Sequence, residues 1–134
     1  MKLTPNPRPF HYHLGARGEV SASNYLIRHG YQILEKNFKC PLGEIDLIAE
    51  KKGVLAFIEV KTRTGSRFGF PEEAVHPAKQ KKIIRCALWY LKAKNKKEVP
   101  VSFDVVGILP DAEGNLVIRH IPHAFSVPDE YQNY

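Results

Sequence analysis

Two carboxylates and an ammonium group stand where an apolar sheet should not carry them. Residues 44–63 read EIDLIAEKKGVLAFIEVKTR, in which Ile45, Leu47 and Ala49 alternate and Val54 to Val60 form a nearly unbroken apolar run. Two strands joined by the polar turn Glu50-Lys51-Lys52-Gly53 are the natural reading. Asp46 falls inside the first strand, and Glu59 and Lys61 fall at the end of the second. Charges there are costly unless they are paired or bind an ion. Side chains two apart on a strand share a face, so Glu59 and Lys61 line up with Leu55 and Phe57. In a hairpin Asp46 comes opposite that pair. Such a convergence suits a divalent cation and an anionic substrate.

The chain that must position these groups has 134 residues, 43% of them apolar, enough for one domain with its own core. Residues 1–13 are expected to be flexible, residues 14–121 to form the domain, and residues 122–134 to be an irregular tail. Twenty basic against fourteen acidic residues give a net charge of +6. That balance favours polyanions such as nucleic acid, although many basic domains bind none. Cys40 and Cys86 are far apart and lack CxxC spacing. This fits reduced thiols in a cytoplasmic protein rather than a disulfide framework or zinc site. Residues 1–13 hold three prolines and no apolar core, so they read as neither a signal peptide nor a membrane anchor. No later stretch is apolar enough to span a membrane. The scattered histidines form no HExxH pattern.

The first helix is expected over residues 14–29, with Gly30 as its stop and Tyr31 folding back on its last turn. Glu19, Ala22, Ser23, Leu26 and Ile27 form one stripe, which places Glu19 on the buried side near the start. It is either a functional acid or a glutamate stabilised by the helix dipole. Gly15 and Gly18 beside it let another backbone come close. Residues 31–39 alternate as a strand, broken by Cys40-Pro41-Leu42-Gly43. Residues 62–70, with Arg63 and Arg67, form a basic loop directly after the acidic pair.

Pro77 suits the first position of a long helix running to about residue 94. Gln80, Ile83, Ile84, Ala87, Leu88 and Leu91 make its apolar stripe. Gln80 is either a boundary residue or a group reaching a scissile phosphate or a water at a metal. Lys79, Lys81, Lys82 and Arg85 are either a solvated face or, with Arg63 and Arg67, a rim that contacts phosphates. Residues 101–109 form a buried strand containing Asp104, residues 111–115 a hairpin turn, and residues 116–121 an edge strand. Asp104 is either a neighbour of the metal site or the partner of a lysine or arginine.

The order Glu19, then Gly43-Glu44-Ile45-Asp46, then Glu59-Val60-Lys61 resembles the PD-(D/E)XK nuclease superfamily. More closely, Gly18-Glu19, Gly30-Tyr31, GEIDLI at 43–48, FIEVKTR at 57–63, PEEAV at 71–75, Lys79-Gln80 and FDVV at 103–106 resemble the YraN family. That family has a fold like that of Holliday-junction resolvases, and the resemblance covers residues 14–109. It implies an α/β, restriction-endonuclease-like fold: an αβββαβ core with a mixed sheet flanked by helices. It also implies Mg²⁺ (or Mn²⁺) held by Asp46 and Glu59 with the Val60 carbonyl, and Glu19 joining directly or through water. Lys61 would orient the attacking water or stabilise the charged phosphorane, and Gln80 would assist. Ile45 departs from the proline of the superfamily motif.

Three readings follow. The chain is a metal-dependent nuclease on DNA, acting on branched or damaged structures in recombination or repair. Alternatively it is a nucleic-acid-binding module with the nuclease fold and little turnover, or its charged cluster is a buried structural ion pair. A homodimer is compatible with each.

Overall fold

The computed structural model describes residues 10–62 and 75–129, and side chains from Gly18 onward. In chain order the elements are α1 (Phe10–Arg28), β1 (Gln32–Cys40), β2 (Gly43–Lys51), β3 (Val54–Thr62), α2 (Pro77–Ala93), β4 (Val101–Pro110) and β5 (Leu116–Phe125). The expected αβββαβ order is present, followed by β5 as the expected return strand. Two boundaries move. The helix starts at Phe10 rather than residue 14, and β5 runs to Phe125, into the expected irregular tail.

The sheet order is β1-β2-β3-β4-β5. β3 and β4 are parallel and the other pairs antiparallel, so the sheet is mixed. Parallel pairing requires a crossover, and α2 lies on it. Lys51 faces Val54, leaving Lys52 and Gly53 as a two-residue loop with φ of 51° and 81°. Positive φ at both positions is the geometry whose twist matches a hairpin, and Gly53 adopts it without a Cβ penalty.

The apolar run of β3 is explained by cover on both faces. Leu55 and Phe57 join Ile48, Ile83, Ile84, Ala87, Tyr90 and Phe103 in the core beneath α2. Ala56 and Ile58 join Ala22, Leu26, Leu47, Val106 and Ile108 beneath α1. A strand buried on both sides loses its apolar–polar alternation.

Among the described side chains of α1, those buried are Gly18, Ala22, Ser23 and Leu26, whereas Ile27 is 54% exposed. At 100° per residue Ile27 lies well around the cylinder from Ala22, so the expected stripe was centred too far to one side. The helix ends as expected. Gly30 has φ 91°, its N–H donates to the Ile27 carbonyl, and the Tyr31 N–H donates to the Leu26 carbonyl. This is the double closure of a glycine-terminated helix, with Tyr31 folded over Leu26 in the same core.

On α2 the buried residues are Ile83, Ile84, Cys86, Ala87 and Tyr90, with Leu88 and Leu91 at the margin. The Cys40 and Cys86 sulfurs lie 3.5 Å apart as free thiols, and burial pushes the Cys86 thiol up to about 12. Among the described residues, no helix is long and apolar enough to cross a membrane.

Candidate functional site

The β2–β3 ladder is regular from the turn up to Leu47 opposite Ile58 and then gives way at Asp46. There the Asp46 side chain takes over from the backbone, its Oδ2 accepting the Val60 N–H at 2.8 Å. Only one oxygen is used in that bond. Burial, and next the nearby Glu59 carboxylate, push the Asp46 carboxyl from its ordinary 3.8 to about 6, against the Val60 N–H and Lys79, which pull it down. Glu59, on β3, is 6% exposed. Its Oε1 lies 3.6 Å from the Lys61 ammonium and 3.4 Å from that of Lys79.

Lys79 was expected on a phosphate-contacting rim, yet it reaches the acid pair from the first turn of α2. Glu19 comes in from α1. Burial raises its carboxyl, the Asp46 and Glu44 carboxylates raise it further, and a hydrogen bond from the Asn37 side chain opposes them. Asn37 lies between Lys36, opposite Leu47, and Phe38, opposite Ile45, and therefore stands across from Asp46. Its φ of 51° is left-handed, which asparagine tolerates better than most residues. The sequence reading missed Asn37. Its one signal was an asparagine interrupting an otherwise extended strand.

The packing of α1 onto the sheet depends on Gly18. A Cβ there would lie 2.6 Å from Thr62 Oγ1 and 3.5 Å from Ile108 Cγ1. Gly18→Ala is therefore expected to lift the helix and its neighbour Glu19 away from β3, at a cost of roughly 1–3 kcal/mol. Thermal melts of Gly18→Ala, Thr62→Ala and the double variant check this. The double variant should recover most of the loss; equal melting of Gly18→Ala and the parent would refute the clash.

The other expected site residues are placed as follows. Gln80 donates through Nε2 to the Val75 carbonyl at 3.0 Å, so its amide nitrogen is committed to the chain just before α2. The Val60 N–H is used by Asp46, a bond that does not engage the carbonyl expected as a ligand. Lys81, Lys82 and Arg85 are exposed on α2. Arg63 and Arg67, with residues 71–74 of the PEEAV motif, lie outside the described residues. Among the described residues, the ion-pair partner found for Asp104 is a histidine, His120, where a lysine or arginine was one expectation. Asp104 accepts from Ser102 Oγ, from His120 Nε2 at 2.7 Å and from the His123 N–H at 3.2 Å. It shares the α1 side of the sheet with its register partner Ile58, while the adjacent Glu59 side chain points to the other side.

Among the described residues, no three acidic, histidine or cysteine side chains come together as a ready-made metal cage. Asp46 and Glu59 nevertheless fit a hard cation. Mg²⁺ commonly takes one or two carboxylates and keeps several waters. A carboxylate whose proton affinity is raised by a second carboxylate is also the kind of group that a cation relieves.

The raised Asp46 has a consequence for stability. The folded protein holds this proton more tightly than the unfolded chain, so the group costs nothing below about pH 4. Its cost grows as pH rises from about 4 to about 6 and is fully present above that. Asp46→Asn keeps an acceptor for Val60 and removes the charge. In metal-free buffer at pH 8 it is expected to stabilise the protein by up to about 3 kcal/mol, with no gain near pH 4. Melting curves across that range test it, and a gain independent of pH would refute this origin.

A family model described as "Uncharacterised protein family UPF0102" matches residues 18–108. The chain belongs to this family. It is 46% identical over 114 residues to a UPF0102 protein of Caldanaerobacter subterraneus subsp. tengcongensis, covering 84% of this chain and 93% of that one. To a UPF0102 protein of Chlorobaculum parvum it is 46% identical over 122 residues, covering 87% and 95%. The UPF0102 match runs from Gly18, at the close approach of α1, to Ile108, beneath the same helix, and so contains Glu19, Asn37, Asp46, Glu59, Lys61 and Lys79. The motifs at Gly18-Glu19, GEIDLI and FIEVKTR, which resemble the YraN family, lie within it. A solved structure of Pyrococcus furiosus SfsA in complex with Ca²⁺ is similar at 14% identity and a TM-score of 0.39, covering 81% of this chain and 62% of that one. A likeness that weak adds nothing to the reading of the site.

Proposed function

We propose that this UPF0102 protein is a nuclease that hydrolyses phosphodiester bonds in DNA with Mg²⁺ or Mn²⁺, on branched or damaged structures in recombination or repair. The observation that carries the reading is the juxtaposition of Asp46 and Glu59 where β2 and β3 part, with the ammonium groups of Lys61 and Lys79 beside them. Asp46, Glu59 and the Val60 carbonyl would hold the cation, with Glu19 nearby. When bound, it supplies Lewis acidity and a more acidic water.

The chain's own residues do the rest. The Val60 N–H fixes the Asp46 carboxylate, and Asn37 holds Glu19 in reach of it. Lys61 and Lys79 offset the charge of Glu59 in the free protein. With a cation held there, either ammonium would be available to a phosphate oxygen, where fixed positive charge favours the more highly charged transition state. Gln80 steadies the backbone before α2 through its Nε2 and keeps its Oε1 for assisting at the site.

One observation favours the alternative, a nucleic-acid-binding module with little turnover. Glu59 has two cationic partners of its own, Lys61 and Lys79. Calorimetric titration of Mg²⁺ and Mn²⁺, run beside incubation with linear, flapped and four-way-junction DNAs, separates the two. Metal binding with cleavage supports the nuclease; salt-dependent DNA binding without either supports the module.

A further inference from the structure

α2 carries five basic residues between Pro77 and Ala93 and no acidic one. Lys79 turns toward Glu59, while Lys81, Lys82, Arg85 and Lys92 are exposed to solvent. On the same side, four residues after Arg85 and three before Lys92, stands Trp89, which is 40% exposed. Its ring leans on Phe38, with centroids 6.0 Å apart and planes tilted by 48°. The indole is thus braced on one side by the sheet and open on the other. A rigid, half-supported aromatic loses little conformational freedom when a flat ligand lies on it. Among cations, the flat ligand it suits is a base whose phosphates the neighbouring side chains can hold.

Distance along the helix links this face to the acid pair. Ten residues separate Lys79 from Trp89, roughly 15 Å at 1.5 Å per residue. An intact duplex offers phosphates to the lysines but keeps its bases stacked inside. A strand that has lost its partner offers both.

We infer that α2 is a track for unpaired nucleic acid, with Lys81, Lys82, Arg85 and Lys92 on the phosphates and Trp89 stacked on an unpaired base about 15 Å along the helix from Lys79, the residue that reaches Glu59. The inference rests on the nucleic-acid reading above and narrows it. The preferred substrate carries a single-stranded segment leaving the point of cleavage, as a flap or fork does and a blunt duplex does not.

The chain has one tryptophan, so indole emission reports on residue 89 alone. The full-length protein is titrated in EDTA, which withholds divalent cations, with a single-stranded oligonucleotide, a flapped duplex and a blunt duplex. Indole emission is followed with unlabelled nucleic acid, and anisotropy with fluorescein-labelled copies. The single strand and the flap should quench the indole and the blunt duplex should not. Trp89→Ala should weaken binding of the single strand roughly 5- to 150-fold. Trp89→Phe should retain most of the affinity, and both variants should bind the blunt duplex within about twofold of the parent. Melting curves of the variants confirm that loss of the Phe38 contact has not unfolded them. Single-strand binding that leaves the indole unchanged and is unaffected by Trp89→Ala overturns this inference while the nucleic-acid reading stands. No anisotropy change with any of the three overturns both.

Discussion

In Glu59→Gln protein, the heat of Mg²⁺ binding is expected to disappear and DNA cleavage to fall by at least about 100-fold, with the fold intact. Groups that merely orient a metal's ligands cost 10- to 100-fold when removed, and a ligand itself should cost no less. The electrostatics push the same way. Glutamine offers one neutral oxygen where the carboxylate offered a charge, and it leaves the Lys61 and Lys79 ammoniums, 3.6 and 3.4 Å from the lost oxygen, with Asp46 as the remaining carboxylate beside them. A site with one carboxylate and two cations repels a divalent ion. Stability should change little, by about 1 kcal/mol or less, because Lys79 is 43% exposed and Lys61 partly so, and water replaces what the pair loses. Circular dichroism and a melting curve establish the fold before activity is compared. Cleavage at the parent's rate by a folded Glu59→Gln protein would remove Glu59 from the chemistry.

Asp104→Ala should do the reverse, costing stability and leaving the metal site alone. The β4–β5 ladder slips between Phe103, opposite Phe125, and Val105, opposite Ile121, so β5 carries extra residues at that point. His123, with φ 51°, is one of them. Its N–H turns to Asp104 Oδ1 and Ser102 Oγ, at 3.2 and 3.3 Å, and His120 closes the other oxygen from an edge-on setting against Tyr25 and Tyr31. Asp104 is 1% exposed. Truncation removes the shared acceptor of one buried and two part-buried donors and the charge that faces His120, an effect worth about 3–5 kcal/mol. For a domain of this size that is a fall in Tm of roughly 10–20 °C. Mg²⁺ affinity per folded molecule should stay within about twofold, since Asp104 and Glu59 face opposite sides of the sheet. A fall of only a few degrees would show that the cluster is dispensable.

These two aspartates also mark how much was legible beforehand. Asp46, Glu59 and Lys61 were readable because period-two alternation fixes which side chains share a face, and a charge on a buried face stands out. The order of elements was readable for the same reason, with Gly30, Gly53 and Pro77 as punctuation. Lys79 and Asn37 were not. Lys79 sits on a helix whose rotation about its axis is set by packing, and one residue's shift of the stripe separates rim from site. Asn37 acts through a left-handed backbone that no periodicity announces. Asp104 was visible as a buried acid, but its partners come from β5, where the slipped register carries pairing beyond what alternation can count.

The interruptions in the two outermost strands have one more consequence. β1 shifts register between Ile33 and Glu35 and carries left-handed Asn37, flanked by exposed Lys36 and Lys39. β5 is broken at His123. Neither margin presents the long, flat row of free N–H and C=O groups on which another chain's strand could zip up, and the lysines add repulsion between like copies. The sheet is terminated on both sides, which disfavours edge-to-edge aggregation. Two copies of this protein would sooner meet through helices or loops than through a shared ten-stranded sheet.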